Sequence, residues 1–117
     1  MDTGSIPVLT AKIKIMDKID AIIEYCNNIV KRDDVMLKTR FGVTSEELSH
    51  IAHIGSSIVL NRIGARPGGG FVEAVCENNL IAASGRADST MQKVLAYMAM
   101  TFASDYDRIS YEATKNI

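Results

Sequence analysis

The sequence predicts an all-α protein, a compact bundle of four to five helices, and three observations carry that expectation. Apolar residues recur at three- and four-residue steps through most of the chain, and capping signatures precede several of these runs. No segment alternates apolar and polar residues as a half-buried strand does. With 117 residues, 47% of them hydrophobic and 23% charged, residues 1–117 form a single domain with one modest core.

The elements follow in order. Residues 1–10 read as a flexible N-terminal segment, and a first helix is expected from Ala11 to about Lys31. Its seam is Ile15, Ile19, Ile22, Cys26 and Ile29, and Met16, Ile23 and Val30 widen the apolar face. A seam of that length packs inside the domain or partly against a second copy, which makes a homo-oligomer the expected state. Lys31 and Arg32 place positive charge at the helix's negative end, and Asp33 and Asp34 begin the next turn. Val35 to Val43 is short and mixed, with Gly42 as its stop.

Thr44 and Glu47 have capping-box spacing and open a second helix that runs to about Ile63 and ends at Gly64. Leu48, Ile51, Ala52, Gly55, Ile58 and Val59 are its inward residues. A third helix is expected from Gly69 or Gly70 to about Ser84, with Phe71, Val72, Val75, Cys76, Leu80 and Ala83 buried and Gly85 as terminator. Ser89 and Gln92 suggest another capping box, opening a helix through Ala103 with Met91, Val94, Leu95, Met98 and Phe102 inward. Ser104 with Asp107 would cap a short last helix from Tyr106 to Thr114.

Composition narrows the function. A formal net charge of -1 supplies no global field toward nucleic acid or an anionic membrane, so no general nucleic-acid binding is expected. The absence of tryptophan and the low aromatic content argue against base-stacking platforms. No secretory signal or membrane-length apolar run is seen, and Cys26 and Cys76 share no motif, so reduced thiols and a cytoplasmic location are expected.

The chemistry-bearing stretch is Ala65-Arg66-Pro67-Gly68-Gly69-Gly70-Phe71. Free amides of Gly69, Gly70 and Phe71 at a helix start can donate to an oxyanion, and Arg62, Arg66 and Arg86 can add charge-assisted bonds. Arg86 reaches this turn only if a neighbouring helix or subunit folds it back. The competing reading is a tight helix corner that needs small residues. No Lys-Ser/Thr follows the glycines, so the turn is not a Walker loop.

Asn78-Asn79 and Asp88 form a second group, able to read a base or ribose edge, or else solvated asparagines with Asp88 capping a helix and pairing with Arg86. Glu46, His50 and His53 share one helical face at a spacing that can ligate metal, with Asp33 or Asp34 as a further ligand; a solvated face is the plainer reading, and no metal or cofactor is expected. Neither cysteine has a histidine nearby in sequence and no Gly-x-Ser-x-Gly elbow is present, Cys76 lies in an apolar face, and Met91 and Met98 read as core filler, with Met100 able to add to an adaptable surface.

The run from Pro67 to Leu80, with Ala83 and Arg86-Ala87-Asp88, resembles a segment of small, mostly uncharacterised phage and prophage proteins. That pattern is Gly-Gly-Phe-x-x-Ala-Val-x-x-Asn-Asp-Leu followed by Arg-Ala-Asp. The resemblance covers about 25 residues of the 117, and Asn79 stands where the pattern has Asp. It implies a phage origin and, if phage-encoded, the host cytoplasm. Phage proteins that sequester nucleotide signals of bacterial immunity are similar in size and in lacking catalytic groups.

The leading expectation is therefore a non-enzymatic protein that binds an anionic, nucleotide-derived immune signal. Gly68, Gly69, Gly70 and Phe71 would donate, Arg62, Arg66 and Arg86 would supply charge, and Asn78, Asn79 and Asp88 would read the ligand. The alternatives are a helical protein–protein interaction module with no small-molecule ligand, and a metal-dependent enzyme around His50 and His53.

Overall fold

The structure, a computed structural model, describes residues 7–117, with side chains from Lys14 onward. Among the described residues the chain is all-α, with seven α-helices and no strand: α1 (Pro7–Arg32), α2 (Asp34–Phe41), α3 (Leu48–Arg62), α4 (Gly70–Cys76), α5 (Leu80–Arg86), α6 (Ser89–Met98) and α7 (Tyr106–Thr114). A 3-10 turn over Ser45–Glu47 leads into α3, and a π-turn over Ala99–Ala103 continues α6. Helix α1 begins at Pro7, so residues 7–10 belong to it rather than to a flexible segment; residues 1–6 of that expected segment lie outside the described residues. Proline suits this start, because the first helical amide needs no partner and φ is already near its helical value.

Helix α3 is the centre of the bundle and packs against α1, α4, α7 and the π-turn, while α1 also lies along α7. The core joins Ile22, Cys26, Ile29 and Val30 of α1 to Ile51, Ile58, Val59 and Leu60 of α3, with Met91, Val94, Met98, Phe102 and Ile109 closing the far side. Gly55 matters here for space. A Cβ at Gly55 would stand 2.6 Å from Phe102 Cζ, so only glycine lets that ring lie against the α3 backbone. Tyr97 meets Phe102 edge-on at 5.9 Å between ring centroids, and its hydroxyl donates to Asp33 Oδ2 at 2.8 Å, clasping α6 to the α1–α2 junction.

Gly42 and Gly64 end α2 and α3 at φ of 69° and 79°, the left-handed region expected of glycine at a helix terminus. The Thr44–Glu47 capping box is present, with the Thr44 amide donating to Glu47 Oε1 at 2.9 Å. Other expected caps shift. Asp88, not Ser89, caps α6, accepting from the Met91 amide at 2.8 Å, because its carboxylate is the acceptor one residue nearer the turn. Ser104 bonds back to the Met100 carbonyl at 2.6 Å, and Asp105 takes the N-cap position of α7 without a side-chain bond.

Glu47 also accepts from Thr90 Oγ1 at 2.6 Å and from Lys93 Nζ at 2.9 Å, tying the start of α3 to α6. The Thr90 bond, then the Thr44 amide and Lys93, hold its carboxyl down at about 2 against an ordinary 4.5. A depressed carboxyl adds stability that is complete above the unfolded value and is lost as pH falls toward the folded one. Unfolding measured between pH 5 and about 2 is expected to show this loss. Glu47→Gln should flatten that part of the profile, and an unchanged slope would contradict the role assigned to Glu47.

Candidate functional site

The glycine turn joins α3 to α4, and its glycines differ in role. A Cβ at Gly68 would lie 2.7 Å from Val72 Cβ, so the corner itself excludes a side chain there. Gly69 faces open space and holds the N-cap position with extended backbone. Gly70 opens α4 under the side chain of Arg86, whose Cδ would be 3.1 Å from an added Cβ.

Helices α4 and α5 form an antiparallel hairpin, which answers how Arg86 returns to this turn. The third helix expected from Gly69 or Gly70 to Ser84 is broken at Asn78, which adopts φ of 58°. The amides of Asn78 and Asn79 donate to the Val75 and Ala74 carbonyls at 3.0 and 2.9 Å, a Schellman ending with asparagine in the left-handed position. Asn79 then caps α5, its Oδ1 accepting from the Ala82 amide at 3.0 Å. The asparagines are thus the hairpin corner rather than mid-helix residues. Gly85 falls inside α5, which ends at Arg86, and the reversed chain carries Arg86 back to donate to the Gly70 carbonyl at 3.1 Å.

The candidate residues consequently divide. Gly68, Gly69, Gly70, Phe71 and Arg86 gather at the open end of the hairpin, and Arg66 precedes them in the turn, its amide donating to the Leu60 carbonyl at 3.4 Å. Asn78 and Asn79 lie at its closed end, about 10 Å away along a seven-residue helix. Arg62 belongs to the closed end as well: it donates to the Cys76 carbonyl at 2.9 Å and stacks over the Tyr106 ring at 4.4 Å. Asp88 turns elsewhere, accepting from the Met91 amide and contacting His50 Nε2 at 2.7 Å rather than pairing with Arg86. The Met91 amide bond is the largest influence lowering its carboxyl, burial opposes it, and the His50 contact adds to the lowering.

At the open end, the amides of Gly69, Gly70 and Phe71 have no acceptor among the described residues. Arg66 and Arg86 are exposed, and neither meets a carboxylate among those residues. Helix α4 is too short for its dipole to weigh heavily, so the binding capacity lies in the amides and the two guanidinium groups. Arg86 spends one nitrogen on Gly70 and keeps its remaining donors available.

The other candidate chemistry takes structural roles. His50 pairs with Asp88, and among the described residues no group of three His, Cys, Asp or Glu side chains converges. Burial pushes the Cys26 thiol up to about 12, which keeps it protonated and unreactive at neutral pH. Burial also raises Cys76, whose Sγ faces the Ile58 carbonyl at 3.7 Å.

Two apolar surfaces stand open, and only the first was not foreseen from the residue pattern. Leu80 is 68% exposed instead of buried, and beside it Ile81 is 86% exposed. Leu80 borders an apolar groove of about 300 Å³ whose other lining residues include Val75, Asn78, Ala83, Leu95, Ala96 and Ala99. Asn79 ahead of Leu80-Ile81-Ala82 was the available signal, since asparagine before an apolar run marks a helix start. The second surface is the outer part of α1, where Ile15 and Met16 are 56% and 63% exposed.

Comparison with family models, with curated proteins and with solved structures finds no match to this chain. No helix among the described residues is long and apolar enough to cross a membrane.

Proposed function

We propose that this protein is a homo-oligomeric binding protein that holds a small phosphate-bearing, nucleotide-derived signal at the open end of the α4–α5 hairpin and sequesters it without turnover. The observation that carries this reading is the return of Arg86 to Gly70, beside three backbone amides that have no acceptor among the described residues, with Arg66 exposed in the same turn. Guanidinium groups and unspent amides are the donors a phosphate requires. The phage-like segment from Pro67 to Asp88 contains the whole hairpin, which is why an immune signal is the proposed ligand class. Asn79 and Asp88 are engaged within the chain, so recognition centres on the phosphate rather than on a base edge.

Calorimetric titration with a panel of cyclic and linear phosphorylated nucleotides tests the proposal. Saturable binding of at least one member, with the nucleotide recovered intact, is expected. Absence of binding across the panel would refute it.

The groove beside Leu80 and Ile81 favours a second reading, a protein interaction module. Apolar side chains this exposed beside a trough of small residues suit a helix-shaped partner. Leu80→Asp separates the two readings, because it removes the apolar side chain bordering the groove and leaves Arg66, Arg86 and the turn amides in place.

A further inference from the structure

A separate cleft opens where the end of α1 and the start of α2 meet the 3-10 turn and the first turns of α3. Its volume is about 300 Å³, at the lower end of the range for small-molecule sites. Buried Val30 and Ala52, with half-buried Leu48, form its apolar part. The rest of the lining is polar: Asn27, Lys31 and Asp34 on the α1–α2 side, Ser45 and Ser49 on the α3 side.

These polar groups are largely uncommitted. No side-chain hydrogen bond among the described residues uses Asn27, Lys31, Ser45 or Ser49. Lys31 meets no carboxylate among those residues, and Asp34 meets Lys38 alone, at 3.4 Å with both side chains 38% exposed. A long, exposed pair of that kind contributes little and leaves the Asp34 carboxylate available.

We infer that this cleft binds a free α-amino acid with an aliphatic side chain. Lys31 meets the ligand carboxylate, Asp34 its ammonium, and the aliphatic group lies against Val30, Leu48 and Ala52. Asn27, Ser45 and Ser49 supply the remaining hydrogen bonds. Charge decides the class: a simple anion would face Asp34 and a simple cation would face Lys31, whereas a zwitterion satisfies both. Size decides the rest. At about 30 Å³ per water the cleft has room for about ten water-sized groups, enough for one amino acid and too few for a nucleotide or a helix. The inference goes beyond the nucleotide proposal and does not rest on it. About 15 Å of α3 separates Ala52 from Arg62, which precedes the glycine turn.

NMR titration of the full chain tests this with L-leucine, with isocaproate, which lacks the ammonium, and with isoamylamine, which lacks the carboxylate. L-Leucine should give saturable shifts at Val30, Leu48 and Ala52, and each analogue should bind about tenfold more weakly or worse, having lost one charge-assisted contact. Lys31→Gln should weaken L-leucine by about five- to tenfold without weakening isoamylamine. Asp34→Asn should weaken L-leucine similarly without weakening isocaproate. Circular dichroism checks that both variants keep their helix content. Three results would overturn the inference: no saturable shift at Val30, Leu48 and Ala52 with L-leucine, an analogue that binds as tightly, or a folded variant that binds L-leucine like the wild type. Gly69, Gly70 and Phe71 report the nucleotide site in the same spectra, so failure there leaves this outcome separate.

Discussion

Phe102→Ala is expected to lower the free energy of unfolding by about 3–5 kcal/mol, the range for removing a fully buried phenylalanine ring. Phe102 lies in the π-turn after α6, is wholly buried and fills the notch that Gly55 leaves on α3. Its removal leaves a cavity between the two helices, because the surrounding side chains cannot collapse fully into the space. The reciprocal change has the opposite cause and the same direction. Gly55→Ala forces a methyl group against the ring and should cost about 1–3 kcal/mol by overpacking. The pair should couple: in a Phe102→Leu background the smaller side chain leaves room, and Gly55→Ala should cost less than it does alone. Denaturant midpoints of the four proteins measure that coupling, and strict additivity would contradict the contact.

Arg86→Glu should weaken binding of the phosphorylated ligand by more than about a hundredfold, whereas Arg62→Ala should leave its affinity within about threefold. The contrast comes from where the hairpin sends each side chain. Arg86 reaches the Gly70 carbonyl, so a glutamate there replaces a donor with a negative charge beside the phosphate. One charge-assisted bond is worth about 1.5–3 kcal/mol, already about ten- to a hundredfold in affinity, and repulsion adds to the loss. Arg62 sits at the closed end, bonded to Cys76 and stacked on Tyr106. Its removal should instead lower stability modestly, through the lost carbonyl bond and cation–π contact. Calorimetry of the two variants beside the wild type reads both outcomes.

The all-α class and most helix cores were legible because burial follows the helical period. Ile22, Cys26 and Ile29, then Ile51, Ile58 and Val59, then Met91, Val94, Met98 and Phe102, occupy the inward positions that their spacing implies. Glycine terminators at Gly42 and Gly64 were equally readable, since positive φ has few residue choices. The break at Asn78 was hidden by the apolar residues on both sides, which continue a helical period across the corner. Asparagine, tolerated in the left-handed region, ended α4 where the period alone did not.

The candidate site was legible as a list of residues and not as an arrangement. Along the chain Arg62 and Arg66 flank the glycine turn and Arg86 is the distant one, yet the hairpin brings Arg86 to the turn and sends Arg62 to the opposite end. Asp88 and Asn79 carried the right chemistry for reading a ligand and are occupied as helix caps. Such assignments depend on which helices fold back on one another, information that local spacing does not hold.

The most direct test of the central claim is to follow the same nucleotide titration at individual backbone amides by NMR. Saturable shifts centred on Gly69, Gly70 and Phe71, with smaller changes at Asn78 and Asn79, are the predicted result. Shifts centred on Leu80 and the groove it borders, or no saturable shift at the glycine turn, would contradict it.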